Sequence, residues 1–185
     1  MRRNHKGVSI LVALMMLPIS FFPNLVFSQS AKVNIINGYG VGSLDTVLMQ
    51  KEFTGKVVYI DIWGVHCIPC IEEFAFNEPL KNRFSNKEVA FLYLSLDYDH
   101  KDDNELWRKM IQAKNLVGYN MFISAKFYMN IWNSIRDSVN KKDMYLIPHY
   151  IIADRTGKIA FADAARPSSQ DILYNQIEAV LQKKD

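Results

Sequence analysis

Long apolar runs separated by polar turns dominate the pattern of hydrophobic and polar positions along the chain. Residues 57–63 and 89–96 are near-continuous runs of β-branched, aromatic and aliphatic side chains. Such runs are typical of strands buried on both faces of a central sheet. A third run at 149–153, the turn sequence at 154–157 and a short run at 158–161 predict an antiparallel hairpin.

Apolar residues recur at helical spacing in four other stretches. They predict a helix from 69 to 84, kinked by Pro79, and three more helices at 104–114, 126–139 and 170–182. The expected core positions of the last helix are Ile172, Ile177 and Val180. This order of elements predicts an α/β domain with a mixed central sheet and helices on both faces.

Strand and turn signals share the segment that precedes the first central strand. Residues 33–36 are strand-like, and glycines at 38, 40, 42 and 55 interrupt the sequence around and after them. We therefore predict an N-terminal hairpin region over residues 31–55.

The first 28 residues have the composition of a secretory signal peptide. Three basic residues precede an apolar run at 8–17, and residues 26–28 offer a cleavage site. The run is shorter than the roughly 20 apolar residues that a spanning helix needs, although residues 19–22 could extend it into an uncleaved anchor. We predict a signal peptide over 1–28 and one domain over 29–185, in an exported, periplasmic protein.

The basic character of the chain belongs to this targeting segment. The chain has 22 Lys and Arg against 19 Asp and Glu, and residues 1–28 hold three of the basic residues and no acidic one. The remainder is therefore neutral, which gives no electrostatic reason to expect a nucleic acid as partner.

Both cysteines of the chain lie in the sequence Cys67-Ile68-Pro69-Cys70. A disulfide across two residues closes a very small loop and stabilises a fold little, so this spacing indicates chemistry. Cys67 follows a buried strand and precedes a helix, where backbone N–H groups and the helix dipole favour the thiolate. We therefore expect Cys67 to be the nucleophile and Cys70 the resolving thiol.

A lone Cys-x-x-Cys is also compatible with half a zinc site. A closed site needs two further ligands, and the histidines after the targeting segment, His66, His100 and His149, lack metal-ligand spacing. We therefore expect no metal and no cofactor. A copper or zinc carrier that uses the same cysteines and a redox-inactive module remain as alternatives.

Several separate segments resemble one known family. Residues 61–70 resemble the active-site segment of thioredoxins, in particular of the exported TlpA-like branch. Ile147-Pro148 and the turn at 154–158 are similar to that family's cis-proline loop and closing hairpin, and residues 165–168 to the segment before its last helix. The resemblance covers about residues 33–182. It implies a thioredoxin-like fold and a thiol–disulfide oxidoreductase. The resemblance to the exported branch favours a protein that reduces the disulfides of its substrates.

The resemblance also implies roles for single residues. Asp61 matches a buried acid that assists proton transfer at the resolving cysteine, and Glu73 an acid often present in the exported branch. Alternatively, Asp61 is a solvated residue at a strand edge, and Glu73 is a solvated residue on the helix surface. Pro148 matches the cis-proline that faces the disulfide, and Ile147 lends its backbone to a bound substrate chain. The implied substrate-binding residues are Trp63, His66, Ile147 and Pro148.

Two features of the chain depart from the family pattern. His66 stands where the family usually has an aromatic residue; it could lower the pKa of the neighbouring thiol if charged, or be a solvent-exposed neighbour. The segment between Cys70 and Pro148 is longer than in a minimal thioredoxin, and it contains an inserted helical region around 104–140. The partners implied are exported proteins with reducible cysteines and a membrane electron donor.

Overall fold

The structure is a computed structural model that describes residues 32–38, 40–142 and 144–183. The predicted signal peptide at 1–28 lies outside the described residues. The described residues form one six-stranded sheet with the order β1-β4-β3-β2-β5-β6. Its strands are β1 (Val33–Ile35), β2 (Val57–Gly64), β3 (Val89–Leu96), β4 (Gly118–Ile123), β5 (His149–Ala153) and β6 (Ile159–Phe161).

The sheet is mixed, as predicted. Strand β2 is parallel to β3, β3 to β4 and β4 to β1, whereas β5 is antiparallel to both β2 and β6. Every residue of β2 is buried, which agrees with its near-continuous apolar sequence. The β5–β6 hairpin is confirmed, and its turn is stabilised by Asp154, whose Oδ1 accepts the backbone N–H groups of Thr156 and Lys158.

Helices cover both faces of the sheet and separate its core into layers. They are α1 (Leu44–Leu48), α2 (Ile68–Glu73), α3 (Asn77–Arg83), α4 (Asp103–Ala113), α5 (Ala125–Ile135) and α6 (Asp171–Gln182). Ile60 and Ile62 of β2 pack on one face with residues of α1 and α5, and Tyr59 packs on the other with α3 and α6. A third cluster joins Trp63 to residues of α2 and α4.

The predicted N-terminal hairpin over 31–55 is wrong. Strand β1 pairs in parallel with β4, far along the chain, with Asn34 opposite Tyr119. The segment after it contains α1 instead of a second strand, and the hydroxyl of Ser43 caps this helix by accepting the backbone N–H of Thr46. Gly38, Gly40 and Gly42 therefore lie between a strand and a helix.

The predicted continuous helix from 69 to 84 is also wrong. Helix α2 ends at Glu73, a 3-10 turn spans Phe74–Phe76, and α3 begins at Asn77. Pro79 is the third residue of α3, where its missing N–H removes no bond within the helix. The helix is therefore divided before the proline and not bent at it.

The inserted region contains a strand that the sequence pattern did not predict. Between α4 and α5 lies β4, which hydrogen-bonds to β3 and β1. Its polar residue Asn120 interrupts the apolar run, yet it is fully buried and donates its side-chain N–H to the Leu116 carbonyl at 2.9 Å. Its Oδ1 has no hydrogen-bond partner among the described residues. An amide whose N–H group is bonded can thus occupy the core of this sheet, so polarity alone was misleading.

The remaining helix predictions differ in detail. Helix α4 lies within one residue of its prediction, whereas α5 ends four residues earlier than expected. In α6, Ile177 and Val180 are buried as predicted, but Ile172 is 63% exposed and Leu173 takes its core position. Among the helices of the described residues, none combines the length and the hydropathy needed to cross a membrane.

Candidate active site

Cys67 and Cys70 form a disulfide just beyond the end of β2. Cys67 is the N-cap residue of α2, and its Sγ accepts the backbone N–H of Cys70 at 3.2 Å. Pro69 lies in the first turn of α2, where no N–H donor is needed. A negative charge on the Cys67 sulfur would therefore be stabilised by a backbone N–H at the start of a helix.

The two cysteines differ in their exposure to solvent. Cys70 is 1% exposed and packs in the third core cluster with Trp63, Phe74 and Trp107. Cys67 is half-buried at the edge of this cluster. A thiol of another molecule can therefore reach Cys67, whereas Cys70 is shielded by aromatic side chains.

Asp61 is a carboxyl group inside the sheet. It is 1% exposed, lies opposite Tyr93 and Tyr150 in the register, and neither of its oxygens has a hydrogen-bond partner among the described residues. The solvated strand-edge alternative is therefore excluded. Burial and, secondarily, the negative charge of Glu73 raise the pKa of Asp61 well above its usual value, whereas the positive charge of Lys81 lowers it.

Lys81 is a residue of the site that the sequence analysis missed. It lies on α3 beside the fully buried Leu80, and its Nζ is 5.0 Å from the centroid of the Tyr93 ring. Burial lowers the pKa of Lys81 to about 7, while the charge of Asp61 acts in the opposite direction. A single lysine in an amphipathic helix carries no sequence signal that distinguishes it from a surface residue.

Glu73, at the end of α2, is 6% exposed and not solvated. Its carboxylate accepts the backbone N–H of Ser168 at 2.9 Å and the Ser168 hydroxyl at 2.8 Å. Arg166 Nη1 lies 3.5 Å from the same carboxylate. The loop before α6 therefore holds Glu73 within the protein, where its charge acts on Asp61.

The predicted substrate-binding residues occupy different environments. The Ile147–Pro148 peptide bond is cis, and Ile147 packs against the cluster that contains both cysteines. Leu146, which precedes it, is 57% exposed. Trp63 is fully buried and forms an edge-to-face contact with Phe74, with ring centroids 5.1 Å apart, so it can support the site but presents no surface to a substrate.

His66 belongs to a cluster that the sequence analysis did not predict. Its Nε2 lies 2.7 Å from Oδ1 of Asp103, and Nδ1 of His100 lies 3.5 Å from the same nitrogen. Burial raises the pKa of Asp103, but the hydrogen bond with His66 and the charges of both histidines more than offset this and hold the pKa below its usual value. The fold thus brings together two of the histidines whose spacing in the sequence indicated no common site.

Comparisons with known proteins agree with this architecture. A family model described as Redoxin matches residues 36–177. The thiol-disulfide oxidoreductase ResA of Bacillus thuringiensis subsp. konkukian is 33% identical over 67 residues, which cover 36% of this chain and 33% of that relative. The match thus spans about a third of the length of that curated relative.

Two solved structures from Bacteroides vulgatus, both provisionally described as thiol-disulfide oxidoreductases, are also similar. The crystal structure is 29% identical with a TM-score of 0.53, over 70% of this chain and 82% of that chain. The solution structure is 27% identical with a TM-score of 0.53, over 68% of this chain and 74% of that chain. The predicted thioredoxin-like α/β fold is confirmed.

Proposed function

We propose that this chain, which belongs to the Redoxin family, is a thiol–disulfide oxidoreductase that works through Cys67 and Cys70. The observation that carries this proposal is the disulfide between its only two cysteines, just beyond the end of β2, with Cys67 half-buried and Cys70 buried. The relatives described above support the same activity.

We propose that the protein acts as a reductant of substrate disulfides. The Cys67 thiolate attacks one sulfur of a substrate disulfide, which breaks that bond and releases one substrate thiolate. A mixed disulfide then joins Cys67 to the substrate. The Cys70 thiol loses its proton and attacks the Cys67 sulfur, which releases the second substrate thiol. Two electrons pass to the substrate, and the Cys67–Cys70 disulfide forms again.

Asp61 is the proposed proton acceptor for Cys70. Tyr93, which lies opposite Asp61 in the sheet, belongs to the same buried cluster as Cys70. A carboxyl group whose pKa is raised by burial is suited to take a proton from a thiol near neutral pH. Lys81 and Glu73 have opposite effects on the pKa of Asp61, because the positive charge of Lys81 lowers it and the negative charge of Glu73 raises it.

The proposed substrate is a protein chain that docks beside the disulfide. Ile68 is 69% exposed next to Cys67, and Leu146 and Tyr145 are 57% and 41% exposed next to the cis-proline peptide. Exposed large apolar side chains of this kind are typical of interaction surfaces. The backbone of Ile147 and the exposed ring of His66 complete the proposed contact surface.

We assign this activity to the outside of the cytoplasmic membrane, in line with the exported TlpA-like branch that the sequence resembles. The basic residues and short apolar run of residues 1–28 support export. Exported proteins with reducible cysteines are then the proposed substrates. A reductant there needs a supply of electrons, for which we propose a membrane-bound dithiol donor.

The test is the reduction of insulin disulfides by the purified protein with dithiothreitol as electron source. We expect activity in the wild type and loss of it in both Cys67→Ser and Cys70→Ser. Only Cys70→Ser should accumulate a mixed disulfide with the substrate, detected by mass spectrometry, because it keeps the accessible sulfur but lacks the resolving one. No insulin reduction by the wild type, or trapping by Cys67→Ser, would contradict the proposal.

A further inference from the structure

Three side chains at the start of α4 and beside the exchange site form a compact group of nitrogen and oxygen ligands. They are His66, His100 and Asp103, and one atom of each lies within 4.8 Å of those of the other two. Among the described residues, this is the one group of three His, Cys, Asp or Glu side chains placed in this way. The proposed exchange reaction uses neither His100 nor Asp103.

The separations between these atoms are close to those of a metal site. Nε2 of His66 lies 3.5 Å from Nδ1 of His100, and the latter lies 3.6 Å from Oδ2 of Asp103. Ligand atoms at about 2.0–2.1 Å from a tetrahedral zinc ion are roughly 3.3 Å apart. On the third side, Nε2 of His66 lies 2.7 Å from the other carboxylate oxygen, Oδ1, and this hydrogen bond would have to break for the nitrogen to face an ion held by Oδ2.

Burial and exposure within the group also fit an ion that enters from solvent. The side chain of Asp103 is 3% exposed, and its Oδ2 has no hydrogen-bond donor among the described residues. The side chains of His66 and His100 are 49% and 66% exposed. A bound ion would therefore have a buried carboxylate below it and open positions for water above it.

Neighbouring residues hold the imidazoles in position. The Tyr98 ring stacks on His100 at 6.4 Å and lies 5.8 Å from the ring of His66. Gly64 makes room for Tyr98, because a side chain at that position would overlap its ring.

We propose that His66, His100 and Asp103 bind a divalent transition-metal ion of the zinc class, with water in the remaining position. Two imidazoles and one carboxylate suit Zn²⁺, Cu²⁺, Ni²⁺ or Fe²⁺, whereas Mg²⁺ and Ca²⁺ prefer oxygen ligands alone. Because His66 directly precedes Cys67 in the chain, the ion would lie at the rim of the exchange site. This inference goes beyond the proposed oxidoreductase function and does not depend on it.

The test is titration of the oxidised wild-type protein with Zn²⁺ in a calorimeter. With the disulfide intact, neither sulfur is a thiolate, so binding by the cysteines does not contribute. We expect a single Zn²⁺ to bind, and His100→Ala and Asp103→Asn each to weaken the binding roughly tenfold or more. The double variant Cys67→Ser, Cys70→Ser should bind Zn²⁺ as the wild type does, whether or not the protein proves to be an oxidoreductase.

Asp102→Asn is the matched control, because it removes the same charge from the exposed residue next to Asp103. It should change Zn²⁺ binding less than about twofold, since an exposed charge near a site has only a weak, screened effect. Circular dichroism of each metal-free variant checks that it is folded. The proposal is overturned if the wild type binds no Zn²⁺, if His100→Ala binds as the wild type does, if Asp102→Asn weakens binding as much as Asp103→Asn, or if Mg²⁺ competes equally.

Discussion

Replacing Asp61 with asparagine removes an ionisable group from the protein interior. The Asp61 side chain is buried, and neither of its oxygens has a hydrogen-bond partner among the described residues. Burial, and then the charge of Glu73, raises the pKa of Asp61 in the folded protein. The unfolded chain has the ordinary value of about 3.9. The folded state therefore keeps this proton over a pH range in which the unfolded state has lost it. The contribution of Asp61 to stability is complete below about pH 4 and is lost as the pH rises through the folded-state pKa.

The expected size of the effect follows from the burial of this carboxyl group. At about pH 4 the wild type and Asp61→Asn both carry a neutral polar group, so their free energies of unfolding should be similar. At about pH 8 the folded wild type must either hold a proton that the unfolded chain has released or bury a carboxylate without hydrogen bonds, and the variant should be more stable by about 1–3 kcal/mol. Lys81, whose pKa is lowered to about 7, is largely uncharged at this pH and offsets little of the cost.

Urea unfolding of the oxidised proteins at both pH values measures this difference. Asp137→Asn is the matched control, because Asp137 is exposed and the same substitution should there change the free energy of unfolding by less than about 0.5 kcal/mol. A stability difference for Asp61→Asn that is equal at the two pH values, or a loss of stability at the higher pH, would contradict a raised pKa for Asp61 in the folded protein.

The same variant tests the proton transfer. A mixed disulfide between Cys67 and a chromophoric thiol releases that thiol when Cys70 attacks, and absorbance follows the rate. We expect Asp61→Asn to slow this release near neutral pH, because the Cys70 thiol loses its buried proton acceptor. Release rates that match the wild type between about pH 6 and pH 9 would remove Asp61 from the mechanism.

Two further variants should move the pH dependence of this release in opposite directions. Lys81→Met removes a positive charge that lowers the pKa of Asp61, so the midpoint of the rate–pH profile should move to higher pH. Glu73→Gln removes a negative charge that raises that pKa and keeps an oxygen to accept the Ser168 N–H, so the midpoint should move to lower pH. Profiles that stay unchanged, or that move in the same direction for both variants, would show that neither charge acts through Asp61.

Features that depend on neighbouring residues in the chain could be predicted from the sequence alone. The apolar runs of β2 and β3 predicted buried central strands, and the turn sequence after β5 predicted the hairpin with β6. The place of Cys67 at the end of a strand and the start of a helix was equally local, and with it the contact between its sulfur and the Cys70 N–H. In each case the neighbours that decide the conformation lie within a few positions of one another.

The pairing of the outer strands was decided by the tertiary structure. Strand β1 is only three residues long and has no alternating pattern of its own, and β4 contains the buried Asn120. The two strands are adjacent only because α4 returns the chain to the edge of the sheet, which no local pattern reports. A short apolar stretch with a polar residue in it is ambiguous until its partner is known.

The charges and ligands around the disulfide also depend on contacts between distant parts of the chain. Ser168 is 95 residues from the Glu73 that it binds, and Asp103 is 37 residues from His66. Lys81 is near Asp61 only because α3 packs on the face of the sheet that carries Tyr59. Titration and metal binding are set by the distances between such groups and by their burial, and both quantities exist only once the chain has folded.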